Sequence, residues 1–156
     1  MRNRNKRRTK QKTDLCNPED SPYNGTAPRS VVFAGLIMTM MEDLNWAGFY
    51  LVRGGELVVG PFQGKPACIH IPVGKGVCGT AILQDRMQVV PDVHEFPGHI
   101  ACDSASASEI VIPIHAGNRI AAVLDIDSPV KDRFSAEDAA GLAELVRLIE
   151  KKISWE

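Results

Sequence analysis

An α+β domain built on one mostly antiparallel sheet is what this 156-residue sequence predicts, on three observations. Two apolar runs, Glu109–His115 and Arg119–Asp127, flank a Gly117-Asn118 pair and read as a tight hairpin. Three more strand-like segments fill the first half: Trp46–Val52, Glu56–Gly60 after a Gly54-Gly55 turn, and Ala67–Ile71. Near the C-terminus, Ser135 opens an S-x-x-D capping signal with Asp138, and Ala139, Leu142, Val146, Ile149 and Ile153 follow as a helical apolar stripe. The length suits one domain with a substantial core and is short for two. Strands joined by short turns, with helices left to cover them, make a helix-sheet sandwich.

The elements follow in chain order. Residues 1–12 hold seven of the 18 Lys+Arg and no acid, and Pro18, Pro22, Gly25 and Pro28 come next, so 1–28 reads as a flexible basic leader before a folded domain at 29–156. The remainder has 11 bases against 19 acids, a net charge of −8 that repels phosphate backbones and argues against a nucleic-acid partner. From Ser30 to Leu44, apolar residues at Val32, Phe33, Leu36, Ile37, Met40 and Met41 keep helical spacing. The apolar run Val31–Met41 has 11 residues where a membrane span needs about 20, and no cleavage pattern follows it, so neither a membrane partner nor secretion is expected. The expected location is the cytoplasm. A Gly74-Lys75-Gly76 loop opens a short helix through Leu83, Met87–Val90 reads as a strand, and Pro91–Ser108 is a polar loop long enough to suggest function.

The four cysteines, Cys16, Cys68, Cys78 and Cys102, form no CxxC pair, and a chain of this size needs no disulfide staple. Such thiols are buried, metal-binding or redox-active. Cys102 is the strongest candidate for chemistry, because it sits in the long loop with no apolar periodicity to join. Cys68 falls in a predicted strand and Cys78 in the first turn of the short helix, where the helix dipole lowers a thiol pKa; simple packing is the alternative for both. Zinc is the rival use, with His94, His99 and Cys102 in H-x4-H-x2-C spacing plus Cys68 or Cys78, but no CxxC clasp supports it.

Asp125 and Asp127 are two apart in an otherwise apolar strand and so share a face. Pairing about Gly117-Asn118 sets position i opposite roughly 235 minus i, which brings Glu109 beside them. If the acids are not simply at a wet strand end, they need a cation, a metal or a proton. Trp46 and Tyr50 share one face of their strand, with Phe49 on the other. Rings beside a carboxylate trio suit either core packing or a ligand with an ammonium at one end and an apolar or sulfur-bearing group at the other.

The segments NWAGFYLV (45–52), GPFQGKPACIHIPVGKGVCGTA (60–81), DVHEFPGHIACDSASASEIVIPI (92–114) and VLDIDSP (123–129) resemble the free methionine-(R)-sulfoxide reductases, a stand-alone branch of the GAF domain, from Asn45 to about Lys151. The resemblance implies a GAF-like fold with a central antiparallel sheet of about six strands and helices on both faces. It implies Cys102 as the nucleophile that becomes a sulfenic acid, Cys68 as the resolving thiol that forms a disulfide with it, and Cys78 as a third thiol. Glu109, Asp125 and Asp127 match the ligand-binding acids, and Trp46 and Tyr50 the wall around the substrate's sulfur end. Free methionine-(R)-sulfoxide is then the substrate and thioredoxin the electron donor, with no metal or organic cofactor, and a homodimer is compatible with the resemblance. Cys16 matches nothing in the family. The rival expectation is a GAF-type sensor of a small ligand with passive redox cysteines, although a sensor ordinarily carries an output domain.

Overall fold

The computed structural model describes residues 26–155. Cys16 and nearly all of the expected leader lie outside them. In chain order the elements are α1 (Thr26–Met40), β1 (Trp46–Arg53), β2 (Glu56–Gly64), β3 (His70–Pro72), α2 (Gly76–Gln84), β4 (Gln88–Val90), β5 (Ser108–Ala116), β6 (Arg119–Ser128) and α3 (Ala136–Lys152). One six-stranded sheet in the order β3-β2-β1-β6-β5-β4 runs through the centre, and every pairing in it is antiparallel.

Alternation along the strands divides the core in two. Ala47 and Phe49 of β1, Ile110 and Ile112 of β5 and Leu124 and Ile126 of β6 pack with Ala34 and Ile37 of α1 and with Leu142, Val146 and Ile149 of α3. The alternate residues, Trp46, Tyr50, Val111 and Val123, pack with Val77, Cys78 and Ala81 of α2. Hence α1 and α3 cover one face, while α2 and the long loop cover the other. Ser135 caps α3 as its pattern predicts: its hydroxyl accepts from Asp138 N at 3.1 Å, and the Asp138 carboxylate accepts from Ser135 N at 2.9 Å. Such a cap is worth about 1 kcal/mol.

Four local expectations are corrected. The helix at the start begins at Thr26 and turns a narrower face inward: Ser30, Ala34 and Ile37 are buried, whereas Val32, Leu36 and Met40 of the predicted stripe are exposed. A small residue at position 34 lets the helix axis approach the sheet, and that contact outweighs the larger side chains. Strand β2 runs on to Gly64, past Pro61. The proline is tolerated because β3 pairs with β2 only over Glu56–Val58, and the hydrogen bond that continues along that outer edge, from Val59 N to the Ile69 carbonyl at 2.9 Å, falls before it. Cys68 lies in the connection before β3 rather than in a strand. In the hairpin, His115 faces Ile120 as the turn dictates, but an irregularity between Ile114 and His115 moves the register one residue, so Glu109 faces Asp127.

Glycine at two positions brings the site together. A Cβ on Gly79 would lie 2.4 Å from the carbonyl oxygen of Pro72, so only glycine lets α2 sit against the end of β3. A Cβ on Gly48 would lie 2.4 Å from Cβ of Phe62 and 2.8 Å from the Trp46 ring, and its absence leaves room for those rings to stack.

Candidate functional site

The face under α2 carries a pocket open to solvent whose lining includes Trp46, Tyr50, Cys78, Glu109, Asp125 and Asp127, with Cys102 of the long loop among its remaining residues. Strand register explains the grouping. Trp46 of β1 lies beside Asp127 of β6 and Gly48 beside Asp125, while Glu109 of β5 lies on the far side of Asp127. All these side chains leave the sheet on the same face. The geometry expected from the sequence for Glu109, Asp125 and Asp127 is therefore present, reached through an irregular hairpin rather than a simple one.

The aromatic wall is stacked. The Trp46 ring lies 5.8 Å from Tyr50 and 5.2 Å from Phe62, at interplanar angles of 26° and 16°. Both polar tips are tied down: Trp46 Nε1 donates to the Lys65 carbonyl at 3.2 Å and Tyr50 Oη to the Cys68 carbonyl at 3.1 Å. The second of these bonds holds the Cys68 backbone against the wall.

Electrostatics set the carboxylates apart from surface acids. Glu109 and Asp125 are 7% and 6% exposed, and no cationic side chain is among the residues lining the cavity. Burial pushes Asp125 up to about 6. Glu109 is raised well above the ordinary range by burial and then by Asp125 and Asp127; Asp127 is raised by burial and then by Asp125 and Asp103. Asp125 Oδ1 has no hydrogen-bond partner, and a buried carboxylate oxygen left unpaired is costly. The cluster is thus an arrangement that a cation or a proton stabilises.

The thiols separate into two kinds. Cys68 and Cys102 are joined in a disulfide across 34 residues, with their Cα atoms 5.3 Å apart. Both are partly exposed. Cys78 is a free thiol, 3% exposed, with Sγ 3.9 Å from Glu109 Oε1. Its place in the first turn of α2 predicts a lowered pKa, but burial beside Asp125 and Glu109 wins and pushes the thiol well up. Cys78 is therefore held as the neutral thiol. The zinc alternative through His94, His99 and Cys102 does not assemble: the Cys102 sulfur is committed to Cys68, and His94 Nδ1 lies 2.9 Å from Asp92 Oδ1 with its ring largely exposed.

Asn45 is a contributor that the sequence reading missed. Its Nδ2 donates to Asp103 Oδ2 at 3.0 Å and to Ser106 Oγ at 3.1 Å, tying the loop that carries Cys102 to the start of β1. Ser106 in turn hydrogen-bonds Asp127. Asn45 precedes the first strand and Asp103 follows Cys102, but neither spacing carries a periodic signal. His99, also in the loop, lines the cavity, and burial lowers its pKa.

Comparison with known proteins agrees with this geometry. The GAF-domain family model matches residues 32–153. A free methionine-R-sulfoxide reductase of Escherichia coli (strain K12) is 54% identical over 121 residues, which cover 78% of this chain and 73% of that protein. Among solved structures, fRMsr of Staphylococcus aureus in complex with substrate has a TM-score of 0.78 and 50% identity, covering 82% of this chain and 84% of its own. The free methionine-R-sulfoxide reductase from Neisseria meningitidis, also in complex with its substrate, has a TM-score of 0.78 and 42% identity over 81% of this chain and 76% of its own. With that sheet, that disulfide and those relatives, the chain belongs to the GAF-domain family, in the branch of the free methionine-R-sulfoxide reductases.

Proposed function

We propose that the chain reduces free L-methionine-(R)-sulfoxide to methionine, using Cys102 as nucleophile and Cys68 as resolving thiol. The observation that carries the reading is the cluster of buried Glu109 and Asp125 with half-buried Asp127, with an unpaired Asp125 oxygen, in the cavity that Cys102 also lines. A free amino acid brings an ammonium to such a cluster; the aromatic wall of Trp46 and Tyr50 suits its apolar, sulfur-bearing end.

The chemistry follows from the parts. In the reduced enzyme the Cys102 thiolate attacks the sulfoxide sulfur while a proton passes to the oxygen, so an acid must be held in the same cavity. Three carboxyl groups this close cannot all ionise, and with all three raised one of them keeps a proton while the others hold the ammonium. Methionine leaves and the oxygen remains on Cys102 as a sulfenic acid. The Cys68 thiol displaces that oxygen as water, leaving the Cys68–Cys102 disulfide. Two electrons from an external dithiol, with thioredoxin as the donor, reopen it by exchange. Partial exposure of both cysteine residues supports access by such a donor.

A homodimer is the expected assembly, supported by the apolar stripe Val32, Leu36 and Met40 that α1 presents outward. No described helix is long and apolar enough to cross a membrane. The test of the function is direct: incubate the protein with dithiothreitol and each diastereomer of free methionine sulfoxide, and count the methionine released. Turnover of the R form alone supports the reading, and failure to consume it overturns the reading.

A further inference from the structure

Among the described residues, Cys78, Glu109 and Asp125 each offer a ligand atom within 4.8 Å of the other two, and all three residues are buried. We propose that this trio is a binding site for a thiophilic divalent cation of the zinc class, acting as an inhibitory ligand and not as a cofactor. Two independent features point to a ligand there. Asp125 Oδ1, in a residue 94% removed from solvent by its 6% exposure, has no hydrogen-bond partner. The donor set also includes a thiol that the proposed reduction does not use. Cys78 takes no part in the Cys68–Cys102 pair, and a sulfur beside two carboxylates supplies a soft ligand atom that an ammonium does not use and a borderline-soft metal does.

The geometry requires little movement. Tetrahedral zinc with one sulfur and two carboxylate oxygens sets neighbouring ligand atoms about 3.5 Å apart. Cys78 Sγ and Glu109 Oε1 stand at 3.9 Å and every pair of ligand atoms lies within 4.8 Å, so side-chain shifts of about an ångström or less bring the three onto one ion. The open cavity leaves the fourth position to water. Binding forms a metal–sulfur bond, and the thiol proton leaves to solvent with any proton held on Glu109; no electrons are transferred. One sulfur and two oxygens then carry three negative charges against the metal's two positive ones, so the site gains the metal–ligand bonds with no more net charge than it has with Cys78 and Glu109 protonated. Competition with substrate would rest on the ammonium reading above, but binding itself does not.

The test uses the full chain with Cys16, Cys68 and Cys102 replaced by serine, so that Cys78 is its sole thiol. Cobalt(II) is the probe, because a thiolate ligand gives it an intense near-ultraviolet charge-transfer band. The expected result is a band that saturates at one cobalt per chain, is erased by zinc, and is lost on further Cys78→Ala substitution. Glu109→Gln, which retains the thiol, should weaken cobalt binding and guards against the alanine variant simply unfolding. No band in the single-thiol protein, or a band unaffected by both substitutions, overturns the proposal. If cobalt binds and free methionine fails to compete with it, the metal site stands and the ammonium placement fails.

Discussion

Glu109 and Asp127 face one another directly across the β5–β6 ladder, with Asp125 two residues along on the same face. Like charges opposed in this way are destabilising unless something neutralises them. Burial raises all three acids, so the folded protein holds protons that the unfolded chain has released. For Asp125 the window runs from its ordinary 3.8 to about 6, and stability falls as pH rises through it. The loss from that group alone is on the order of 2–3 kcal/mol, complete above the window, and Glu109 and Asp127 extend the decline upward. Urea unfolding of the oxidised protein between pH 4.5 and 7.5 should show this slope. Asp125→Asn should flatten it, and an unchanged slope in that variant would show that the cluster does not govern it.

The two exposed-side thiols should differ in kind. Cys102→Ser is expected to abolish sulfoxide reduction with any donor. Cys68→Ser should release about one methionine per chain and then stall with thioredoxin, because the sulfenic acid has no resolving thiol. Quantifying methionine in a single-turnover experiment separates these outcomes. Full thioredoxin-driven turnover by Cys102→Ser would remove Cys102 from its role.

Gly48 is expected to tolerate no side chain. An added methyl meets the Trp46 ring and the Phe62 Cβ, and overpacking of this kind costs about 1–3 kcal/mol. Because relief requires Trp46 to leave its stack, Gly48→Ala should lower the melting temperature and raise the Michaelis constant together. A drop in stability with unchanged substrate affinity would show that the wall does not touch the ligand.

Much of the fold was legible because its signals are local. The Gly117-Asn118 turn and the S-x-x-D cap each specify one element through a few adjacent residues. Asp125 and Asp127 announced themselves as charges in an apolar strand, and two-residue spacing alone places them on one face. What escaped depends on long-range packing. The inward face of α1 was misread because Val32 and Leu36 look more suited to a core than Ala34, and only the approach to the sheet decides between them. Asn45 escaped for the same reason, since its partners Asp103 and Ser106 lie about 60 residues away and are brought to it by the loop. For Cys78 the sequence left packing and a lowered pKa both open, and burial beside two carboxylates, which helix position alone does not reveal, favours packing.

The central claim is that buried acids read the free ammonium of the substrate, and it is tested by steady-state curves on free against N-acetylated methionine-(R)-sulfoxide. The amide cannot neutralise Asp125, Asp127 and Glu109, and an unpaired buried charge costs several kcal/mol, so the free amino acid should be preferred by about a thousandfold or more in kcat/KM. Asp125→Asn and Asp127→Asn should each raise KM for the free substrate and narrow that gap, while Cys102 in the reduced variants still reacts with a small alkylating agent. Equal efficiency on the two substrates in the parent protein would contradict the account and leave the three acids with a structural or proton-donating role alone.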